Sequence, residues 1–221
     1  MIVTLDGPAG AGKSTAARAL AARLGWCYLD TGAMYRTVAL VALERGIPLD
    51  DATALAELAA SLAIDFRAGR VLLGDRDVSM EIRTERVTLA TRPVADAPPV
   101  RAAMKQLQRR LAEGRDVVTE GRDQGSEVFP WAEVKVFLTA SADERARRRQ
   151  REEAARGLAS SLDAVRAAQA RRDEGDRVRP VGAMQPAADA VILETDGLAA
   201  AEVVDRLAEL VAGKRPGVSP S

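Results

Sequence analysis

The sequence predicts a three-layer α/β/α fold, a five-stranded parallel sheet between two layers of helices, and three observations predict it. Five short runs rich in apolar residues, at 2–5, 26–29, 116–120, 134–139 and 190–193, have strand length, and helical stretches separate them. Strands so widely spaced in a chain pair in parallel through crossovers, not through hairpins. A glycine-rich turn follows the first run and passes straight into an Ala-rich stretch. Charged and hydroxyl residues also close the runs: Asp30-Thr31 after the second and Glu120 through Asp123 after the third. In an open parallel sheet those carboxyl ends form the edge at which ligands bind.

Taken in order, Ile2, Val3 and Leu5 read as a short buried strand. A helix over 15–24 ends at Gly25, a residue suited to the left-handed C-cap. The run 26–29 is the second strand, closed by Asp30-Thr31-Gly32, and 34–45 carries Val38, Val41 and Ala42 on a further helix that stops at Gly46. Pro48 and Asp50-Asp51 mark a boundary and the start of a short helix over 51–62. The period then changes. Ile64 to Phe66, a turn at Ala68-Gly69, Arg70 to Leu73 and a turn at Gly74-Asp75 predict a small antiparallel hairpin. Alternation of strand and helix resumes only at Val117, so 48–100 is expected as an inserted lobe, with a core of 1–47 and 101–213. Pro98-Pro99 opens a helix that ends at Gly114. After the strands at 116–120 and 134–139, Ser141-x-x-Glu144 reads as a capping box opening an arginine-rich helix. There Arg148–Glu152 and Arg149–Glu153 have the i,i+4 spacing of helix-surface ion pairs. A helix over 161–172, the strand at 190–193 and an amphipathic helix over 198–211 follow, and the tail 214–221 reads as disordered.

Gly7-x-x-x-x-Gly12-Lys13-Ser14 is the phosphate-binding loop pattern. Glycines at 7, 10 and 12 allow positive φ and close approach, so successive N–H groups can converge on one anion. The following helix adds free N–H donors and the positive end of its dipole. Gly7, Pro8, Ala9, Gly10, Ala11, Gly12, Lys13, Ser14 and Thr15 are therefore candidates to bind a nucleoside triphosphate, Lys13 serving the β- and γ-phosphates and the Ser14 hydroxyl Mg²⁺. The competing reading is a glycine-rich turn without a ligand; the position between strand and helix favours the site. Glu120-Gly-Arg-Asp123 ends a central-type strand, where Glu120 could hold water on Mg²⁺ and Arg122 could face phosphate. A turn with an Arg–Asp surface pair is its alternative. The charged run from Arg172 to Arg179 reads alone as a solvated loop. Beside a triphosphate it becomes an arginine-bearing flap that closes and excludes water.

Composition narrows the function. With 32 basic and 32 acidic residues the formal charge is zero, so no global field recruits nucleic acid or a membrane. Only four basic residues are lysine, Lys13, Lys105, Lys135 and Lys214, so an arginine at any one place carries less weight than usual. One cysteine, Cys27, excludes an internal disulfide and fits a reducing, cytoplasmic setting. No apolar run has membrane-spanning length. With no histidine there is no imidazole base, and with no asparagine there is no Asn-Lys-x-Asp guanine-reading motif, which argues against a GTPase switch. Phosphoryl transfer needs neither, because positioning and cations supply most of the rate.

Beyond the loop, Leu29-Asp-Thr-Gly-Ala-Met-Tyr-Arg36, Val78-Ser-x-Glu-Ile-Arg-Thr84, Glu120-Gly-Arg-Asp-x-Gly125 with Val128-Phe-Pro130, and Pro186-Ala-Ala-Asp-Ala190 resemble the bacterial cytidylate kinases. The resemblance runs from residue 1 to about 212 and implies a monomeric, cytoplasmic enzyme that phosphorylates CMP and dCMP from Mg-ATP. It makes 48–100 a monophosphate-binding lobe and about 145–180 a lid. It also implies roles residue by residue: Thr31 and Arg36 on the acceptor phosphate side, Arg101, Arg122 and Asp123 on CMP, and Arg172, Asp176 and Arg179 in the flap, with Asp176 on the ribose hydroxyls. Lys13, Arg122, Arg172 and Asp123 are then the catalytic set, and Tyr35 and Arg83 supports. Arg92 stands where a small hydroxyl residue would face cytosine; the expectation is that it points to solvent, the alternatives being a one-residue helical shift that puts Thr91 in its place, or Arg92 reading the base itself. Kinases for UMP, dTMP or shikimate, and an ATP-binding regulatory module without an acceptor, are the competing readings.

Overall fold

The computed structural model describes residues 1–67, 69–155 and 157–214. Ala68 of the expected hairpin turn and the tail from 215 lie outside them. The first five-residue apolar run is strand β1 (Ile2–Asp6), and the loop leads into helix α1 (Lys13–Leu24), closed by Gly25 at φ 69°. Then come β2 (Cys27–Asp30), α2 (Thr31–Arg45) and α3 (Ala52–Ser61). The short strands β3 (Ile64–Arg67), β4 (Arg70–Leu73) and β5 (Arg76–Asp77) precede α4 (Glu85–Asp96) and α5 (Pro98–Ala112). The chain continues through β6 (Val117–Glu120), β7 (Val134–Thr139), α6 (Ala142–Ala154), α7 (Leu162–Arg177), β8 (Val191–Glu194) and α8 (Ala200–Ala212).

The five-stranded sheet has the order β2-β6-β1-β7-β8. Its pairs β1–β6, β1–β7 and β7–β8 are parallel, with Leu5 opposite Glu120 and Asp6 opposite Phe137. Val3, Leu5, Val117, Val118 and Leu138 are fully buried, as strands covered on both faces require. Helix α1 packs on β6 and on α8, setting Leu20 and Leu207 in the core.

The chain divides into two compact units, Met1–Cys27 with the chain from Val117 onward, and Tyr28–Asp116. The second reaches beyond 48–100 because α2 packs on α4 and α3 on α5, drawing both flanking helices into it. The predicted hairpin β3–β4 is present and antiparallel, and β5 adds a third strand, which at two residues is too short to leave an alternating pattern.

Four local expectations are corrected. The helix expected over 34–45 starts three residues earlier, at Thr31, because the Asp30 carboxylate caps it by accepting the Ala33 N–H at 2.8 Å. The capping box at Ser141 is half formed. Ser141 Oγ accepts the Glu144 N–H at 3.2 Å, but the Ser141 N–H donates to Asp196 at 2.9 Å and the Glu144 carboxylate is taken by Arg148. Arg148 thus reaches back to Glu144, not forward to Glu152, while Arg149–Glu153 forms as expected at 2.8 Å. Finally α7 continues to Arg177, so most of the charged run read as a loop is helical, with Gly175 inside it.

Candidate functional site

Strand β1 ends in a buried carboxylate, Asp6, whose two oxygens accept the backbone N–H groups of Gln124 at 2.9 Å and Gly125 at 2.7 Å. These bonds seat the wide π-type turn at Gln124–Val128, closed by Val128 N to Asp123 O at 3.1 Å and Phe129 N to Gln124 O at 2.7 Å. Burial pushes the Asp6 carboxyl up to about 7, against the two backbone bonds that favour its charge.

At Gly7 the chain crosses β7 so closely that a Cβ would stand 2.0 Å from the Leu138 carbonyl oxygen. Gly7, Gly10 and Gly12 all have positive φ, of 138°, 80° and 91°, and the loop they shape ends on the first turn of α1. Lys13 is buried and folds back so that Nζ donates to the Pro8 carbonyl at 2.8 Å. Burial first, then the Arg122 charge, lowers its amine to about 7. Ser14 Oγ donates to Glu120 Oε1 at 2.9 Å, joining the start of α1 to the end of β6. A cavity of about 590 Å³ opens over the loop, with walls from α6, α7 and α8 that include Arg148, Arg172 and Val203.

Behind this cavity the other expected residues of the same unit form a chain of charges. Arg122 Nε donates to Asp176 Oδ2 at 2.7 Å, and Arg179 Nη2 donates to Asp176 Oδ1 at 2.7 Å, so one carboxylate spans two arginines. Those cations, after desolvation that opposes them, hold the Asp176 carboxyl below its usual range. Arg172 is exposed, and partial desolvation followed by the Arg122 charge lowers its guanidinium. Among the described residues Arg172 has no ion pair, which leaves a cation available at the cavity wall. Asp123 is buried at the head of the π-type turn.

The remaining expected residues lie in the unit Tyr28–Asp116. Thr31 is the buried first residue of α2, and Arg36, one turn on, donates to Asp30 Oδ1 at 3.3 Å. Arg83 stands 3.9 Å from the other Asp30 oxygen. Arg101 of α5 is buried, lies over the Tyr35 ring at 5.6 Å and donates to the Ala95 carbonyl at 3.2 Å. Arg92 is out in solvent, 3.5 Å from Asp96, and the neighbouring Thr91 hydroxyl bonds back to the Val87 carbonyl at 2.7 Å.

These charges make the site pH-sensitive in opposite directions. Asp6 has a higher value folded than unfolded, so its contribution to stability is full below 3.8 and is lost as pH rises through about 7. Lys13 is the reverse: its contribution is full above 10.5 and is lost as pH falls through about 7. An anion bound beside Lys13 would restore the positive charge. Binding of a polyphosphate at pH 8 is therefore expected to take up a proton, and at pH 6 much less of one, since the amine is lowered to about 7. Calorimetric titrations in two buffers of different ionisation enthalpy measure this; equal proton uptake at both pH values would contradict the low Lys13 value.

The sequence reading missed Asp6, Arg145, Arg148 and Asp173, which hold the loops of the site in place. Asp6 had a readable signal, a carboxylate inside an apolar strand run and next to the glycine turn. Arg145 and Arg148 had none, because an arginine-rich helix reads first as a solvated one.

Comparison with known proteins agrees with this geometry. The cytidylate kinase family model matches residues 3–213. A cytidylate kinase of Rhodopirellula baltica is 50% identical over 211 residues, covering 96% of this chain and 92% of that protein. One of Exiguobacterium sibiricum is 48% identical and covers 96% of each chain. The chain also spans 40% of the length of a bifunctional pantoate ligase/cytidylate kinase of Synechococcus sp., at 45% identity. Among solved structures, the TT1252 protein of Thermus thermophilus superimposes with a TM-score of 0.51 over 98% of both chains at 23% identity, a likeness of fold. With its phosphate loop, its buried loop lysine and a match over nearly the whole chain, this protein belongs to the cytidylate kinase family and is a phosphate-transferring enzyme.

Proposed function

We propose that the protein transfers the γ-phosphoryl group of ATP to CMP or dCMP, releasing ADP with CDP or dCDP. Family membership over 3–213 carries this reading. The chemistry of the loop supports it: a buried lysine, converging N–H groups and a hydroxyl–carboxylate pair in one unit. The phosphate of CMP is already an anionic nucleophile, so the acceptor has no proton to lose and a chain with no histidine lacks nothing. The work left for the protein is to bring two anions together and to spread the charge of the transferring group.

In this reading Gly7 through Thr15 cradle the triphosphate, and Lys13 follows the charge onto the β–γ bridge. Arg122 and Arg172 face the transferring group. Ser14 and Glu120 fit Mg²⁺: because the Ser14 proton goes to Glu120, the hydroxyl lone pairs can face a cation, and the Glu120 carboxylate is placed to hold its water. Bound there, Mg²⁺ would offset phosphate charge, taking its other ligands from phosphate and water as that ion prefers. Thr31, Arg36, Arg101, Arg122, Asp123 and Arg179 serve the acceptor nucleotide. Asp176 keeps acceptor capacity for ribose hydroxyls even with two arginines bound, since a carboxylate has about four lone-pair sites.

The test is a coupled ADP-release assay across CMP, dCMP, UMP, AMP, dTMP and shikimate. CMP and dCMP are expected to be the fastest acceptors. ADP release no faster with CMP than with the others would make the substrate assignment wrong.

A further inference from the structure

The helices over the cavity grip the phosphate loop by its backbone. On α6, Arg145 Nη1 donates to the Ala9 carbonyl at 3.0 Å and Arg148 Nη1 to the Ala11 carbonyl at 3.5 Å. On α7, Gln169 and Asp173 are four residues apart and so share a face. Gln169 Nε2 donates to the Arg145 carbonyl at 3.2 Å and leaves no room for a side chain at Gly10, where a Cβ would lie 2.7 Å from it. Asp173 is 2% exposed and both its oxygens are used. Oδ1 accepts the Ala9 N–H at 3.2 Å, and Oδ2 accepts from Arg145. A buried carboxylate is costly unless it is paired and hydrogen-bonded. Here the pairing cation itself holds the loop, so the peptide groups around Ala9 are fixed on both their donor and acceptor sides.

The residue before Asp173 in α7, Arg172, stands at the cavity wall. Whatever sets this part of α7 against the loop therefore also sets Arg172 relative to a bound triphosphate. We propose that Asp173 is a positioning residue for the ATP half of the reaction, locking the first half of the phosphate loop to α7 through Ala9 and Arg145. This rests on the kinase reading above. Asp173 touches no substrate; it acts through the loop amides and through the placement of Arg172.

Two variants of the full-length protein test this. Asp173→Asn keeps an oxygen for the Ala9 N–H but loses the charge facing Arg145, whereas Asp173→Ala loses both. Asp173→Ala is expected to raise the KM for ATP about tenfold, near 1.4 kcal/mol, with the KM for CMP little changed. Asp173→Asn should fall between it and the parent. Hydrogen exchange across residues 8–11 should quicken in the same order without nucleotide. A KM for ATP and an exchange rate both unchanged in Asp173→Asn overturn the proposal, and that variant decides alone if the alanine form does not fold. KM values for ATP and CMP that rise together, in step with a falling Tm, also overturn it, since that is the mark of a general structural role. Calorimetric binding of Mg-ATP without any acceptor reads the loop independently of CMP turnover. The parent's own turnover with CMP decides the kinase reading separately.

Discussion

Lys13→Ala should lower kcat by about 10²–10³-fold, the usual cost of removing one preorganised charge from developing phosphoryl charge, while CMP affinity stays nearly unchanged. The side chain is buried beside the loop, with Nζ 2.8 Å from the Pro8 carbonyl. It is crowded by the Arg122 and Arg172 charges, which lower its amine. A cation held in so unfavourable a place gains most when an anion arrives, which is the condition for selective stabilisation of the transferring group. Turnover with CMP and a calorimetric titration of CMP into the variant measure the two effects. A collapse of CMP affinity would show that Lys13 serves the acceptor, and the assignment of donor and acceptor roles would have to be redrawn.

The largest structural effect is expected at Gly7→Ala. The new Cβ would lie 2.0 Å from the Leu138 carbonyl oxygen, and the residue would be held at φ 138°, a conformation that side chains rarely adopt. Neither neighbour can yield cheaply, since the obstacle is backbone of the central sheet and not the tip of a flexible side chain. A loss of about 4 kcal/mol or more in urea unfolding is expected, at the upper end for single substitutions, with weakened Mg-ATP binding in whatever folds. A midpoint equal to that of the parent would mean that β1 and β7 can separate at this edge.

The phosphate-loop part of the candidate site was legible in the sequence because it is local. Strand, glycine turn, Lys13 and Ser14 are contiguous, and a short stretch of chain fixes their geometry. Glu120 was legible because a parallel sheet places strand ends along one edge, and it lies 2.9 Å from Ser14, 106 residues away in sequence. What could not be read depends on partners chosen in three dimensions. Arg148 had two carboxylates at helical spacing, and only the packed structure selects Glu144 and adds Thr195 at 2.9 Å. Asp176 reads as one charge among many in its run, yet folding isolates it between Arg122 and Arg179. The helical state of residues 173–177 was masked by Gly175 and by charge density, both of which weaken a helix signal without preventing the helix. The third small strand escaped for a different reason, since two residues carry no period.

The grip on the phosphate loop falls on peptide groups alone: the Ala9 N–H, the Ala9 carbonyl and the Ala11 carbonyl. Such contacts are blind to the identity of the loop side chain. Position 9, which is partly exposed, is therefore free to drift during evolution without disturbing them, whereas Arg145, Arg148 and Asp173 are not. For anyone building chimaeras, the portable unit is accordingly not the loop motif by itself. A loop moved into another scaffold without the side chains that grip it, Thr195 on the Ala11 carbonyl among them, would keep its signature and lose its shape.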